Sequence, residues 1–276
     1  MTVRNMTELE LNDVLGWATR EGWNPGVEDA PAFFAADPNG FFVKDVDGCP
    51  VAAISVVNHS NDFAFLGLYL CLPGYRGRGY GMEVWRHGLA YAGRRCVGLD
   101  GVAAQQDNYR ISGFRKTGRT VRYQGVVSHR ACPNVVAATT LDRSVLLEME
   151  RIATGAMRNQ FMANWFSRTR SRRTMVLKRG SEIAGFATAR ECGLGIKIGP
   201  IQAENAQDAL DLLRAVAPQQ DDAPVFVDVP DTAQGLSLLL QQHGFEPVFE
   251  TARMYLNTPP IGQPPPYHAI ACMELG

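Results

Sequence analysis

Apolar residues recur at helical spacing from the start of the chain. Leu11, Val14, Leu15 and Ala18 follow Thr7-Glu8-Leu9-Glu10, which reads as a capping box. Trp23-Asn24-Pro25-Gly26 ends that helix in a turn. A second helix is predicted from Asp29 to Ala36, closed by Asp37-Pro38-Asn39-Gly40. The period then shortens to that of strands: Phe41 to Lys44, Val51 to Val57 and Phe65 to Leu72. Asp47-Gly48 and Asn61-Asp62 supply the turns. A Gly-rich stretch follows and runs into Met82 to Ala90, which reads as a helix. Cys96 to Leu99 is a short strand, and Asp107 to Ser112 a helix with Gly113 at its C-cap. A strand near Thr120 to Val127 completes a mixed α/β (α+β) unit.

The chain then repeats itself. The segment from Gly48 to Ser55 matches Gly180 to Ala187, and Val97 to Asp100 matches Val225 to Asp228. Gly113-Phe114, with Thr120 and Arg122 behind it, matches Gly244-Phe245 with Thr251 and Arg253. The three offsets, 132, 128 and 131 residues, fall in one order and nearly at one value. Two copies of one fold are expected: residues 1–127, a linker over 128–141, and residues 142–276. Pro259 to Pro266 is too proline-rich for a helix or central strand and reads as an extended arm. The apolar residues behind it, Ala269 to Met273, are expected to add an edge strand.

Composition narrows the classes. At 276 residues, 46 % hydrophobic and 20 % charged, the chain can bury a core. A formal net charge of -1 argues against a nucleic-acid partner, which calls for a dominant basic field. No apolar run reaches the roughly 18 residues needed to span a membrane, and the polar N-terminus is not a signal peptide. The six cysteines lack metal-site spacing, so no metal is expected and the location expected is cytoplasmic. His59 and His129 read as surface residues. The run Arg168, Arg170, Arg172 and Arg173 reads as a solvated face.

One loop carries chemistry. Arg76-Gly77-Arg78-Gly79-Tyr80-Gly81 lies between a predicted strand and a predicted helix. Alternate glycines bare the backbone, so its N–H groups can converge on an anion at a helix N-terminus. The loop lacks the Gly-Lys-Ser/Thr ending of a nucleotide P-loop and the Gly-x-Gly-x-x-Gly spacing of a dinucleotide fingerprint. It resembles the coenzyme A motif of the GNAT N-acetyltransferases, Arg/Gln-x-x-Gly-x-Gly/Ala, at Arg76, Gly79 and Gly81. The resemblance implies that backbone from Gly77 to Met82, Tyr80 included, holds the diphosphate of acetyl-CoA. It also implies that Leu70, Cys71 and Leu72 line its pantetheine arm, and that each copy is a GNAT-like fold with a mixed, mostly antiparallel sheet flanked by helices.

Tyr109-Arg110-Ile111-Ser112-Gly113-Phe114 is similar to a second signature of that family, whose tyrosine protonates the departing thiolate. A thiolate near pKa 8.5 and a phenol near 10 make the transfer feasible in a dry site. In the second copy Leu240 stands where the tyrosine would be. Ile201 to Ala206 has no glycine where the loop would be, and Glu204 there would repel phosphate. Acetyl-CoA is therefore expected in the first copy only.

The acceptor must shed a proton before it attacks, and the strand ahead of the loop carries no carboxylate. Asp100, at a strand end, is the first expectation for contacting the amine; Trp23, Glu28 and Asp29 come next. The sequence thus predicts acetyl transfer to an amine, a small molecule or a protein lysine. The alternative is an acyl-CoA sensor that binds without turnover.

Overall fold

The computed structural model describes residues 2–217, 223–265 and 267–276. Met1 and Pro266, the last residue of the predicted arm, lie outside the described residues.

The first half runs β1 (Val3–Asn5), α1 (Glu8–Arg20), α2 (Asp29–Ala36), β2 (Phe41–Val46), β3 (Cys49–Asn58), β4 (Phe63–Cys71), α3 (Tyr80–Ala92), β5 (Cys96–Val102), α4 (Gln106–Ile111) and β6 (Arg115–Gly125). The second runs β7 (Val135–Ala137), α5 (Arg143–Thr154), α6 (Asn159–Trp165), β8 (Arg172–Arg179), β9 (Glu182–Glu191), β10 (Ile196–Ala203), α7 (Ala206–Val216), β11 (Val225–Pro230), α8 (Gln234–Gln242), β12 (Glu246–Leu256) and β13 (Tyr267–Ala269).

Local chemistry sets the early elements. Thr7 and Glu10 form the capping box, with the Glu10 N–H on Thr7 Oγ1 at 3.2 Å and the Thr7 N–H on Glu10 Oε2 at 2.8 Å. The predicted apolar stripe of α1 is the face it buries. β1 was not foreseen; its three residues pair antiparallel with β2.

All strands join one sheet in the order β1-β2-β3-β4-β5-β12-β6-β11-β10-β9-β8-β7, with β13 on β10. The strand expected to complete the first unit does not return to β5. β12 of the second half pairs with β5, while β6 pairs with β11 and β12. Each half lends its last long strand to the other. The repeated residues meet at the crossing: Thr120 lies directly opposite Thr251, Arg253 opposite Asp100, and Arg122 opposite Asp228. Self-complementary contact of this kind, residue i on j and j on i, is what a two-fold relation imposes.

The core also crosses the halves. Leu11, Phe33 and Phe41 share one apolar cluster with Phe161, Trp165, Ala271, Cys272 and Leu275. Phe33 stacks on Trp165 with ring centroids 6.0 Å apart. Residues 270–275 are thus buried, and the expected edge strand stops at Ala269. Their hydrophobicity served a core rather than a sheet edge.

Of the basic run read as a solvated face, Arg168, Arg170 and Arg173 are exposed, Arg173 donating to the Val216 and Ala217 carbonyls, while Arg172 is buried against Asp29 at 2.9 Å. His59 is partly buried, with Nε2 3.0 Å from the Leu275 carbonyl. All six cysteines are free; Cys192 and Cys272 are buried and Cys49 is exposed. Among the described residues no helix is long and apolar enough to cross a membrane, and no group of His, Cys, Asp and Glu could hold a metal ion.

Candidate active site

β4 and β5 run parallel and pair only from Phe63↔Cys96 to Leu66↔Leu99. Beyond that they splay. A bulge helps: on β4 one extra residue falls between the pairs Ser55↔Gly67 and Ala53↔Leu70, and Leu68 adopts φ +46°. The splay opens two spaces that share a wall. The outer groove, about 460 Å³, is lined by Glu21, Leu70, Cys71 and the glycine loop; the inner chamber, about 60 Å³, is lined by Asp100, Tyr109 and Glu274. Trp23, Tyr69, Val102 and Gln105 line both.

The loop residues Arg76, Gly77, Gly79, Tyr80, Gly81 and Met82 all face the groove. Gly77 and Gly79 have φ +74° and +87°, the left-handed region that side chains disfavour, and both look onto open space. Gly79 is also the N-cap of α3 and offers no side chain to it. The first helical bond closes at 3.1 Å between the Glu83 N–H and the Gly79 carbonyl, so the amides of Tyr80, Gly81 and Met82 precede the ladder. Gly81 is glycine for another reason: a Cβ there would meet Tyr69 Oη at 2.9 Å. The acid in this first turn, Glu83, is neutralised by buried Lys44 at 2.5 Å. The cradle therefore suits a diphosphate.

Some expected contacts take other roles. Arg76 braces the loop, with Nε on the Cys71 carbonyl at 2.9 Å and Nη2 on Glu21 at 2.5 Å. Arg78 lies outside the lining, 5.5 Å from the Tyr75 ring. Leu72 ends past β4 and donates its N–H to the Val51 carbonyl at 2.9 Å.

Tyr109 lies on the chamber wall. Its ring stacks on Trp85 at 5.3 Å, and Gly101 makes room for it, since a Cβ there would come within 2.9 Å. Burial, then Tyr69, pushes its pKa above the ordinary phenol value, so it holds its proton. Trp23 walls both spaces, and its carbonyl accepts from Arg122 at 3.0 Å and Lys197 at 2.9 Å.

The carboxylates fare differently. Asp100 lines the chamber, but Arg253 grips both its oxygens at 2.9 and 2.8 Å. Burial raises its pKa, and the guanidinium offsets that only in part. With both oxygens on the guanidinium, Asp100 serves as a wall and a cross-strand tie. Glu28 and Asp29 do not reach the chamber. Glu28 accepts from the Ser171 hydroxyl, from Thr169 Oγ1 at 2.6 Å and from the Ser171 N–H at 2.9 Å, which lower its pKa to about 2. Asp29 is fully buried between Arg172 and Arg190, both of which lie over the Trp165 ring. Both tie the turn at Trp23 to Gly26 onto the second half.

Sequence reasoning missed Glu274. It is 3 % exposed, lines the chamber, and has an Oε2 with no hydrogen-bond partner. The available signal was a lone carboxylate in an apolar tail, in a chain whose β4 offers none.

The second half closes the equivalent helix start. Asn205 caps α7 with its own side chain, accepting from the Asp208 N–H at 3.0 Å. Glu204 is ion-paired with Arg179.

Comparison with known proteins agrees with this architecture. A model described as "Acetyltransferase (GNAT) family" matches residues 9–114, and one described as "Acetyltransferase (GNAT) domain" matches residues 146–265. The chain is 34 % identical over 264 residues to the holothin acyltransferase of Pseudoalteromonas sp. (strain SANK 73390), covering 94 % of this chain and 89 % of that one. It shares its fold with a Pyrococcus horikoshii protein described as an acetyltransferase, with TM-score 0.82, 21 % identity, and coverage of 99 % and 95 % of the two chains. A tandem GNAT protein from the clavulanic acid biosynthesis pathway gives TM-score 0.62 at 14 % identity, with coverage of 95 % and 99 %. The chain belongs to the GNAT superfamily and carries two of its domains in tandem. It is an acyltransferase of the kind that uses acyl-CoA donors.

Proposed function

We infer that the protein moves an acetyl group from acetyl-CoA to the amine of a small molecule. The observation that carries this reading is the contrast between two equivalent helix starts: one is open, glycine-lined and shares a wall with a chamber holding Tyr109, the other is capped by Asn205. The first half, residues 1–127, holds the donor. The second shapes the acceptor side, contributing Phe249, Thr251 and the tail to the chamber wall.

The chamber size favours a short acyl group. On the same measure about 10–15 Å³ holds one water. A volume of about 60 Å³ therefore takes a few heavy atoms, not a long chain. The enclosed wall favours a compact amine over a lysine on a folded protein. Holothin, the acceptor named for the similar enzyme, is the first candidate to try. Six free thiols fit a reducing, cytoplasmic setting.

In the reaction the amides of the loop hold the diphosphate, and Tyr109 protonates the leaving sulfur. The burial that keeps the phenol loaded also raises a thiolate developing beside it, so the proton moves between matched partners.

Calorimetry with acetyl-CoA and thiol release over holothin and a panel of primary amines test the reading. Tyr109→Phe is expected to lower kcat by on the order of 10²–10⁴ and leave the acetyl-CoA dissociation constant within about twofold. Unchanged turnover would remove Tyr109 from the chemistry. Absence of heat with acetyl-CoA would remove the donor.

A further inference from the structure

We propose that Glu274, carried in on the C-terminal tail, receives the ammonium group of the acceptor in the chamber and takes its proton. This rests on the amine-acetylation reading above. An ammonium has no lone pair with which to attack, so the chamber needs a base. Its lining offers two carboxylates, Asp100 and Glu274. Asp100 has both oxygens on Arg253. Glu274 has an oxygen with no partner, buried where an unsatisfied acceptor is costly unless a ligand meets it.

The backbone is cut to admit this residue. A Cβ on Gly67 of β4 would lie 2.0 Å from the Glu274 carbonyl oxygen and 3.1 Å from its Cα. Any side chain at 67 would expel the tail, so the strand gives up its own side chain and the tail supplies one. Several elements fix the tail in place. The Ile270 N–H bonds the Asp228 carbonyl at 3.0 Å, and Arg190 Nη1 bonds the Ala271 carbonyl at 2.8 Å. The Leu275 N–H meets Cys272 Sγ at 3.4 Å, and its carbonyl meets His59. A tail so held fixes the backbone from which the Glu274 side chain enters the chamber.

Three cations, Arg122, Arg190 and Lys197, stand near enough to attract Glu274. Arg122 is paired with Asp228, Arg190 with Asp29, and Lys197 donates to the Trp23 carbonyl. Tyr69, Tyr109 and Asp100 complete the surround.

Atoms balance as follows. The ammonium gives one proton to Glu274. The freed lone pair forms the C–N bond at the thioester carbon, and the C–S bond breaks. Tyr109 protonates the sulfur, and the second proton shed by nitrogen restores the phenol. Glu274 then releases its proton to solvent, leaving amide and free thiol.

The test compares two acceptors with acetyl-CoA and the full chain: a primary alkylamine, protonated at pH 7, and a weakly basic aromatic amine, already neutral there. For Glu274→Gln, kcat/KM with the alkylamine is expected to fall by on the order of 10²–10⁴, and with the aromatic amine by less than about tenfold. Acetyl-CoA affinity stays within about twofold, and Glu274→Asp regains part of the loss. Equal falls for both amines, or no fall, overturn the assignment of Glu274. So does a loss that Asp does not relieve and that tracks a lower unfolding midpoint. Wild-type protein that transfers to neither amine overturns the amine reading itself, a distinct failure.

Discussion

Asp100 and Arg253 show how one residue pair can hold two halves together. The Asp100 carboxylate is buried and the Arg253 side chain is 20 % exposed, and they face each other in register across β5 and β12. Breaking a buried pair by removing one partner typically costs about 3–5 kcal/mol, because the other charge is left alone. The two truncations should not be equal. Arginine cannot shed its charge, whereas an orphaned aspartate can take up a proton. Urea titration should therefore show Asp100→Asn to be more destabilising than Arg253→Met, and the reverse order would sink the argument. His59 sets a pH dependence. Burial, then Arg158, depresses its pKa from 6.5 to about 3. Between those values the unfolded chain binds a proton that the folded one refuses, so its contribution is full above pH 6.5 and is lost as pH falls. Glu28 acts in the same sense lower down, between 4.5 and about 2. His59→Gln, which keeps a donor for the Leu275 carbonyl, should flatten the fall of the urea midpoint between pH 6.5 and 4. A slope equal to wild type would place the acid sensitivity elsewhere.

At the scale of elements, α3 and α7 begin in equivalent places and differ at the residue that caps them. Gly79 leaves the start of α3 bare, and Asn205 closes that of α7. Gly79→Ala meets open space but must hold φ +87°, at about 1–2 kcal/mol. It should weaken acetyl-CoA binding in calorimetry by tenfold or more as the loop relaxes. Asn205→Ala should cost about 1 kcal/mol of stability and leave that affinity untouched. Weakened binding in Asn205→Ala would return the second half to the donor site. These elements were legible because their signals are local. The capping box of α1, the span of α2, the β2–β3 turn at Asp47-Gly48 and the glycine loop each depend on residues a few positions apart. The β4 bulge was not legible. Nothing in Phe65 to Leu72 marks which residue goes unpaired, because that choice is made by β3 and by the tail.

For the whole molecule, the sequence carried the repeat but not the exchange. The matches Asp100 to Asp228 and Arg122 to Arg253 were visible, yet which aspartate each arginine meets is settled by strand order, which periodicity does not encode. Glu274 escaped for the same reason: it reaches the chamber beside residues of β4, β5, α4 and β6, all distant in the chain. The equivalence of β6 and β12 has a testable result. Because the two strands occupy matching positions, β6 of one copy can fill the place of β12 against β5 of another. Residues 1–127 expressed alone should therefore form a homodimer, with Thr120 opposite its own counterpart and Arg122 of each chain on Asp100 of the other. The dimer should be less stable than the full chain, since Phe33 and Leu11 lose Phe161, Trp165 and the tail from their cluster. Light scattering on the size-exclusion peak reads the mass. Arg122→Met should abolish the dimer while leaving any monomeric fraction able to bind acetyl-CoA. A cooperatively folded monomer of the same half, with β6 turned back onto its own β5, would mean that the exchange depends on the second half rather than on the strand itself.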